Sequence, residues 1–413
     1  MTSTLWRHAD FLKLWAAQTV SAFGSRITRE GLPLAAVLTL DARPGQLGLL
    51  AALSLGPGVV IGLFAGGWAD RHRRRPILIA ADLARVLLLL SVPIAAWTHL
   101  LAMPQLYVVA ALVGAASVVF AIADHAYLPV LLKRDQLLDG NSKLGVTDSI
   151  AEMGGPALAG ALFQLFTAPV ALLANAGSYL VSAVFLITIG KVEPPPQPDP
   201  ERRHPLSDLV FGLAAVWRQP LIRPLLLMTV VQTMFGSFFA GLYVIFCIQT
   251  VGLSPGLLGL TIGVGGFAAL FGALLAPAGI RLLGFGPAII LMAVLSAVGA
   301  LLTPLAPASL VAGAAVLIAG QFIADLFGVA AMIPASTLRQ AVFPPDHLGR
   351  TGAVFHVARG GFAVIGALTG GVLAEAIGIR EALLVGCLGL LAAPLLLLAS
   401  PLRRLRDLPE GPS

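Results

Sequence analysis

Apolar runs of about twenty residues, the length that crosses a bilayer as one α-helix, alternate with short polar breaks along almost the whole chain. Twelve spans can be marked, at 14–39, 46–68, 76–98, 104–123, 144–166, 169–190, 221–248, 255–279, 286–305, 308–332, 352–375 and 381–400. Breaks such as Thr167-Ala168 and Ser254-Pro255 leave room only for a reversal, so consecutive helices are antiparallel neighbours. One polar stretch is longer. Residues 191–220 contain the Pro-rich run Glu193 to Pro200, which reads as a stiff extended linker. It divides the chain into a six-helix bundle at 1–190, a second at 221–400 and a tail at 401–413. The predicted fold is an all-α polytopic membrane protein of twelve transmembrane helices.

Composition agrees. Hydrophobic residues make up 58% and charged ones 11%, against roughly 25% charged in soluble domains, and the mean hydropathy is +0.92. The net charge of +6 raises the question of nucleic acid, but the positions of the charges answer it. With the N-terminus in the cytoplasm, all but six of the 26 Lys and Arg fall on cytoplasmic segments. Arg43 and Arg380 lie outside, while Arg26, Arg29, Arg85 and Arg359 fall inside helices. That asymmetry predicts an inner-membrane protein with both termini in the cytoplasm and no nucleic-acid partner. Cys247 and Cys387 stand alone in apolar runs, so neither a disulfide framework nor a metal site is expected. The first apolar run reads as a retained helix rather than a cleaved leader. No phosphate-binding Gly-rich loop is present to use ATP, and no cofactor is expected. Gly252-Leu253-Ser254-Pro255-Gly256 fits a hydrolase nucleophile pattern, but it is a tight turn between two spans without the required preceding strand. Enzymatic chemistry is not expected.

The densest charge cluster of the first third is Gly66-Gly67-Trp68-Ala69-Asp70-Arg71-His72-Arg73-Arg74-Arg75-Pro76, between two apolar runs. It resembles the loop between helices 2 and 3 of the major facilitator superfamily, Gly-x-x-x-Asp-Arg-x-Gly-Arg-Arg. Gly66, Asp70, Arg71, Arg74 and Arg75 match, and Arg73 replaces the second glycine. An internal repeat supports the resemblance: at an offset of 211 residues Asp135-Gln136-Leu137 aligns with Asp346-His347-Leu348, Gly155 and Gly160 with Gly366 and Gly371, and Pro76 with Pro287. Two pseudo-symmetric six-helix repeats with a substrate site between them are how this superfamily is built. Asp82-Leu83-Ala84-Arg85, Lys133 to Leu137, and Leu338 to Arg350 look like its drug-exporter branch, which includes macrolide-efflux and enterobactin-exporter proteins. Gly155-Pro156-x-x-x-Gly160 is similar to the helix-5 motif of proton-coupled antiporters, with Ala151 and Ala159 where the full pattern has glycines. The resemblance implies that Asp70 caps a helix of the other half and closes the cytoplasmic face.

Charge inside the spans is the other source of candidates, because an ion at mid-bilayer costs at least about 2.5–3.5 kcal/mol and must face a cavity or a partner. The first span carries Arg26, Arg29 and Glu30, with Arg26 and Glu30 spaced to pair; Gln18, Ser21, Ser25 and Arg29 form a second polar row. These residues, with Gln232 of the seventh span, are the expected lining of a substrate cavity. Asp148 and Glu152, four apart on the fifth span, and Asp325 on the tenth are candidate proton carriers. The alternative for Asp148 or Glu152 is a lock on Arg359, which the repeat places at the symmetry position of Asp148. Asp82 and Arg85 pair with each other or brace the charged loop, and belong with Gly66, Asp70, Arg71, Arg74 and Arg359 to a cytoplasmic gate. Asp124-His125 is read as interfacial, at the end of the fourth span. The functional expectation is a monomeric, proton-coupled exporter of amphipathic small molecules, with protons and membrane lipid as its other partners. A lipid or lysolipid flippase is the alternative, and a non-transporting scaffold or sensor a more distant one.

Overall fold

The computed structural model describes residues 4–69, 72–193 and 205–409. Among them there are helices and no strands. Thirteen α-helices follow one another: α1 (Ala9–Leu40), α2 (Pro44–Ala69), α3 (Arg74–Trp97), α4 (Met103–Leu131), α5 (Leu137–Leu165), α6 (Ala168–Ile187), α7 (Pro205–Arg218), α8 (Arg223–Ile245), α9 (Pro255–Leu283), α10 (Phe285–Leu305), α11 (Leu310–Val342), α12 (Pro345–Ile377) and α13 (Ile379–Leu398). Twelve coincide with the twelve spans. In a bilayer every backbone polar group must be satisfied within the segment, which is why each apolar run closes into a helix.

The extra helix, α7, lies within the segment 191–220, after the Pro-rich run that reads as extended. The Pro-rich run falls mostly outside the described residues, but residues 205–218 are free of internal proline and form nearly four turns. Two other boundaries also move. α4 runs to Leu131, so Asp124 lies about two turns inside it, and α11 continues to Val342. In both, helical residues continue past the point where the apolar run is interrupted by charge.

The chain separates into two compact units, one of residues 1–42 and 53–202, the other of 43–52 and 203–413. In the first, α1 packs on α5 and α6, and α3 on α4 and α6; in the second, α8 packs on α12 and α13, and α10 on α11 and α13. The neighbour pattern therefore repeats, as the 211-residue offset predicts. Cores differ in detail: Phe11, Leu14, Leu78, Tyr127 and Leu186 are buried in the first unit, and Ile222, Ile289, Leu338, Leu397 and Val216 in the second.

Among the described residues, ten helical segments are long and apolar enough to cross a membrane by length and composition. α1 and α5 are not among them, although α1 is one of the longest helices. Their charges, including Arg26, Arg29, Glu30, Asp148 and Glu152, dilute the apolar run.

Candidate functional site

α1 and α5 are drawn together by small residues and polar links. A Cβ on Gly155 would collide with Cβ and Cγ of Arg26, so glycine at that position lets the two backbones approach. Pro156 and Gly160 continue the buried face of α5. Toward the other end, Trp15 Nε1 donates to Thr147 Oγ1 at 3.0 Å.

Across this seam Glu152 accepts from Arg26 Nη2 at 2.5 Å and from Arg29 Nη2 at 2.9 Å. Arg29 also reaches Glu30, at 2.9 Å from its Nε. The predicted pair of Arg26 with Glu30 is thus replaced: the space above Gly155 leads the Arg26 stem to α5, and Arg29 takes Glu30. Glu152 is 45% exposed and Arg29 46%, so solvent screens this network. Asp148, one turn before Glu152, is exposed, and no hydrogen bond or ion pair reaches it among the described residues.

The polar row of α1 divides. Arg29 is exposed, whereas Gln18 and Ser21 are buried. Gln18 Nε2 donates to Asp124 Oδ1 on α4. Ser25 donates to the Ser21 carbonyl and accepts from the Tyr179 hydroxyl at 3.3 Å on α6. Thr28 meets the Asn175 amide at 2.6 Å. These groups knit α1 into its own bundle, because side chains of an apolar helix must find their polar partners on neighbouring helices. Asp124 thus sits half-buried within α4, about two turns before its end, rather than at the helix terminus. The sequence signal for this was present, since Tyr127, Leu128 and Leu131 continue the helical apolar pattern beyond it and are buried.

Asp82 and Arg85 pair with each other, at 2.5 Å and with almost no exposure. Ser182 donates to the second Asp82 oxygen at 2.7 Å. The Arg85 guanidinium lies between the rings of Phe120 and Tyr179, 4.4 and 4.3 Å from their centroids, a favourable place for a desolvated cation. The mutual pair that the spacing allows is formed.

In the charged loop, Asp70 and Arg71 lie outside the described residues, and Gly66 falls in the last turns of α2. Arg74 opens α3, and a residue not anticipated from sequence caps that helix. Glu193 accepts the backbone N–H of Arg74 at 2.8 Å and of Arg75 at 3.1 Å, and pairs with the Arg74 side chain at 3.3 Å. An anion at a helix N-terminus is favoured by the dipole. The partners are 119 residues apart, so no local pattern announces them.

In the second unit Asp325 accepts from Gln321 Nε2 at 2.6 Å, one turn away on α11. Gly265 of α9 makes room for both, since a Cβ there would collide with the Asp325 carboxylate. Gln232 is half-buried on α8, and His356 and Arg359 are exposed on α12.

A family model described as Major Facilitator Superfamily matches residues 14–320. The chain is 28% identical to the uncharacterized MFS-type transporter YfiS of Bacillus subtilis (strain 168), covering 91% of this chain and 90% of that one. It is 26% identical to the enterobactin exporter EntS of Escherichia coli O1:K1 / APEC, over 56% of this chain and 55% of the relative. In fold it is similar to a bacterial homologue of the iron transporter ferroportin crystallised in an inward-facing state, with a TM-score of 0.74 at 16% identity over 94% of this chain and 98% of that one.

Proposed function

The chain belongs to the Major Facilitator Superfamily, and from that premise we propose that it is a proton-coupled exporter of amphipathic small molecules. Drugs, macrolides and siderophore-like compounds are the classes meant, moved by alternating access with both termini in the cytoplasm. The family and the curated relatives make it a multi-pass membrane transporter rather than an enzyme. Export is favoured by the likeness to an enterobactin exporter over about half the chain, and the orientation by the distribution of arginines.

The observation that carries the coupling is the division of labour on α5. Glu152 is committed to two guanidiniums and acts as a fixed counter-charge. Asp148, one turn away and exposed, has no such commitment and is the group that exchanges a proton. Asp124 and Asp325, each bonded to a glutamine amide, are the reserve positions for the same role.

Purified protein in vesicles with an imposed pH gradient tests this. Asp148→Asn should abolish uphill export while downhill equilibration continues, because an amide keeps the shape of the acid but cannot titrate. Coupled export undiminished by Asp148→Asn would transfer the role to Asp124 or Asp325. Failure of inverted vesicles to accumulate any of a panel of dyes, macrolides and siderophores would remove the exporter reading itself.

A further inference from the structure

α7 has two apolar faces, and the fold accounts for one of them. On the inner face Val216 is fully buried in the core of the second unit, and Leu209 and Ala215 pack beside it. Gly212 lies against the Arg350 carbonyl so closely that a Cβ would collide with it. Asp208 pairs with Arg350 at 3.0 Å, and the Arg350 guanidinium sits 4.8 Å from the centre of the Phe211 ring. The helix is thereby clamped to the start of α12.

The outer face is Val210, Leu213 and Trp217, which are 68%, 46% and 52% exposed, with Leu206 a turn earlier at 47%. At 3.6 residues per turn these four side chains share an arc of roughly 60°. Ser207 and the exposed Arg218 stand to one side of it. A helix of 14 residues is about 21 Å long, too short for the roughly 30 Å of a bilayer core, so it does not span.

Its position says what covers that face. α7 runs into α8 through a tight turn: the amide of Gln219 donates to the Val216 carbonyl, and the amides of Ile222 and Arg223 to the Gln219 carbonyl. Its C-terminus is thus held where a membrane-crossing helix begins. One turn into α8, Leu227 is exposed and continues the apolar surface that lipid must cover. At the junction the Arg223 guanidinium lies 5.8 Å from the Trp217 ring centre. Trp beside Arg at the end of a span is the arrangement that sits at headgroup depth, and Arg202 and Arg203 precede the helix in sequence.

We propose that α7 is an interfacial anchor, which lays Val210, Leu213 and Trp217 into the headgroup–acyl boundary of the leaflet while Arg218 and Arg223 bind anionic lipid phosphate. The clamp to α12 joins that anchor to the bundle, so lipid composition acts directly on the second unit. The arrangement is that of an amphipathic helix lying in the membrane plane, with an added protein-facing stripe.

The test uses full-length protein in nanodiscs of phosphatidylcholine and phosphatidylglycerol, with an environment-sensitive fluorophore on Val210→Cys or, as control, on Ser207→Cys. The native cysteines are buried, and unlabelled parent protein sets the background. Spin-labelled lipid carrying its quencher near the headgroup should quench the probe at 210 about threefold more than the probe at 207. Omitting phosphatidylglycerol should roughly halve the quenching at 210. Equal quenching at both positions, with water-like emission, overturns the anchor. Blue-shifted emission at 210 without lipid quenching also overturns it, by showing that protein covers the face. Quenching at 210 indifferent to phosphatidylglycerol overturns the anionic-lipid assignment.

Discussion

The two units share a helix-neighbour pattern and differ in where they keep charge. In the second, all six long helices α8 to α13 are apolar enough to cross a membrane; in the first, α3, α4 and α6 are, as is α2, whose opening residues are counted with the second unit, and α1 and α5 are not. Corresponding seams show the contrast at single residues. Where α5 meets α1, Gly155 faces Arg26; where α12 meets α8, Gly366 faces the Met234 carbonyl and Ser237. The same small-residue device brings an arginine to a carboxylate in one unit and packs backbone against backbone in the other. The neighbour pattern is common to both units, and the α1–α5 seam carries ion pairs that the α8–α12 seam, among the described residues, does not show.

The largest expected effect separates the units by burial of their ion pairs. Asp82→Asn strands Arg85 in a dry site between two rings, and breaking a buried pair costs about 3–5 kcal/mol. The same exchange at Asp208, whose pair with Arg350 is about a third exposed, should cost about 0.2–1 kcal/mol. Thermal or denaturant unfolding in detergent measures both. Equal losses would mean that burial does not distinguish the two pairs.

Next in size are the paired glycines. Overpacking a well-filled seam costs about 1–3 kcal/mol. Gly366→Ala and Gly155→Ala should both fall near the upper end, because the obstacles are a backbone carbonyl in one seam and the Arg26 Cβ, fixed by its own backbone, in the other. Only the change at Gly155 should also disturb Glu152 and hence transport. A Gly366→Ala protein as stable as wild type would break the comparison.

The smallest effect lies at the margin of the first unit. The amides of Gly190 and Lys191 donate to Asp10 at 2.9 and 3.0 Å, tying the end of α6 to the start of α1. The Gly190 amide, helped by Lys13 and the Lys191 amide, outweighs burial and holds the Asp10 carboxyl below the usual range. A carboxyl with a depressed folded value adds stability above its unfolded pKa of about 3.9 and loses it as pH falls through the folded value. Asp10 is partly exposed, so less than about 1 kcal/mol is at stake. Asp10→Asn should lower the melting temperature slightly at neutral pH and converge with wild type in acid. A difference that persists unchanged at low pH would contradict the carboxylate's role.

Spans, repeat and the charge-bearing character of α1 and α5 were legible from the sequence because period, length and charge are local properties. Partner choice was not. Spacing allowed Arg26 to pair with Glu30, yet Glu152 on another helix takes it, since a guanidinium reaches across a seam that a glycine has opened. Glu193 capping α3 and the cage of Phe120 and Tyr179 around Arg85 arise from tertiary contact and leave no local trace. α7 was missed for a different reason: the prolines before it dominate the reading of 191–220, although Val210, Leu213, Val216 and Trp217 already had helical spacing.

Arg29 and Glu152 are 123 residues apart, and a ribosome delivers them in that order. α3 enters the membrane with Asp82 and Arg85 already on one helix, neutralised three residues apart. α1 arrives with Arg26 and Arg29 and only Glu30 for company. Each unpaired arginine at mid-bilayer opposes insertion by about 2.5–3.5 kcal/mol, so α1 is expected to settle fully only once α5 has supplied Glu152. A helix made before α5 is therefore among the last of its unit to settle, and the ion pairs that join the two set the order of assembly.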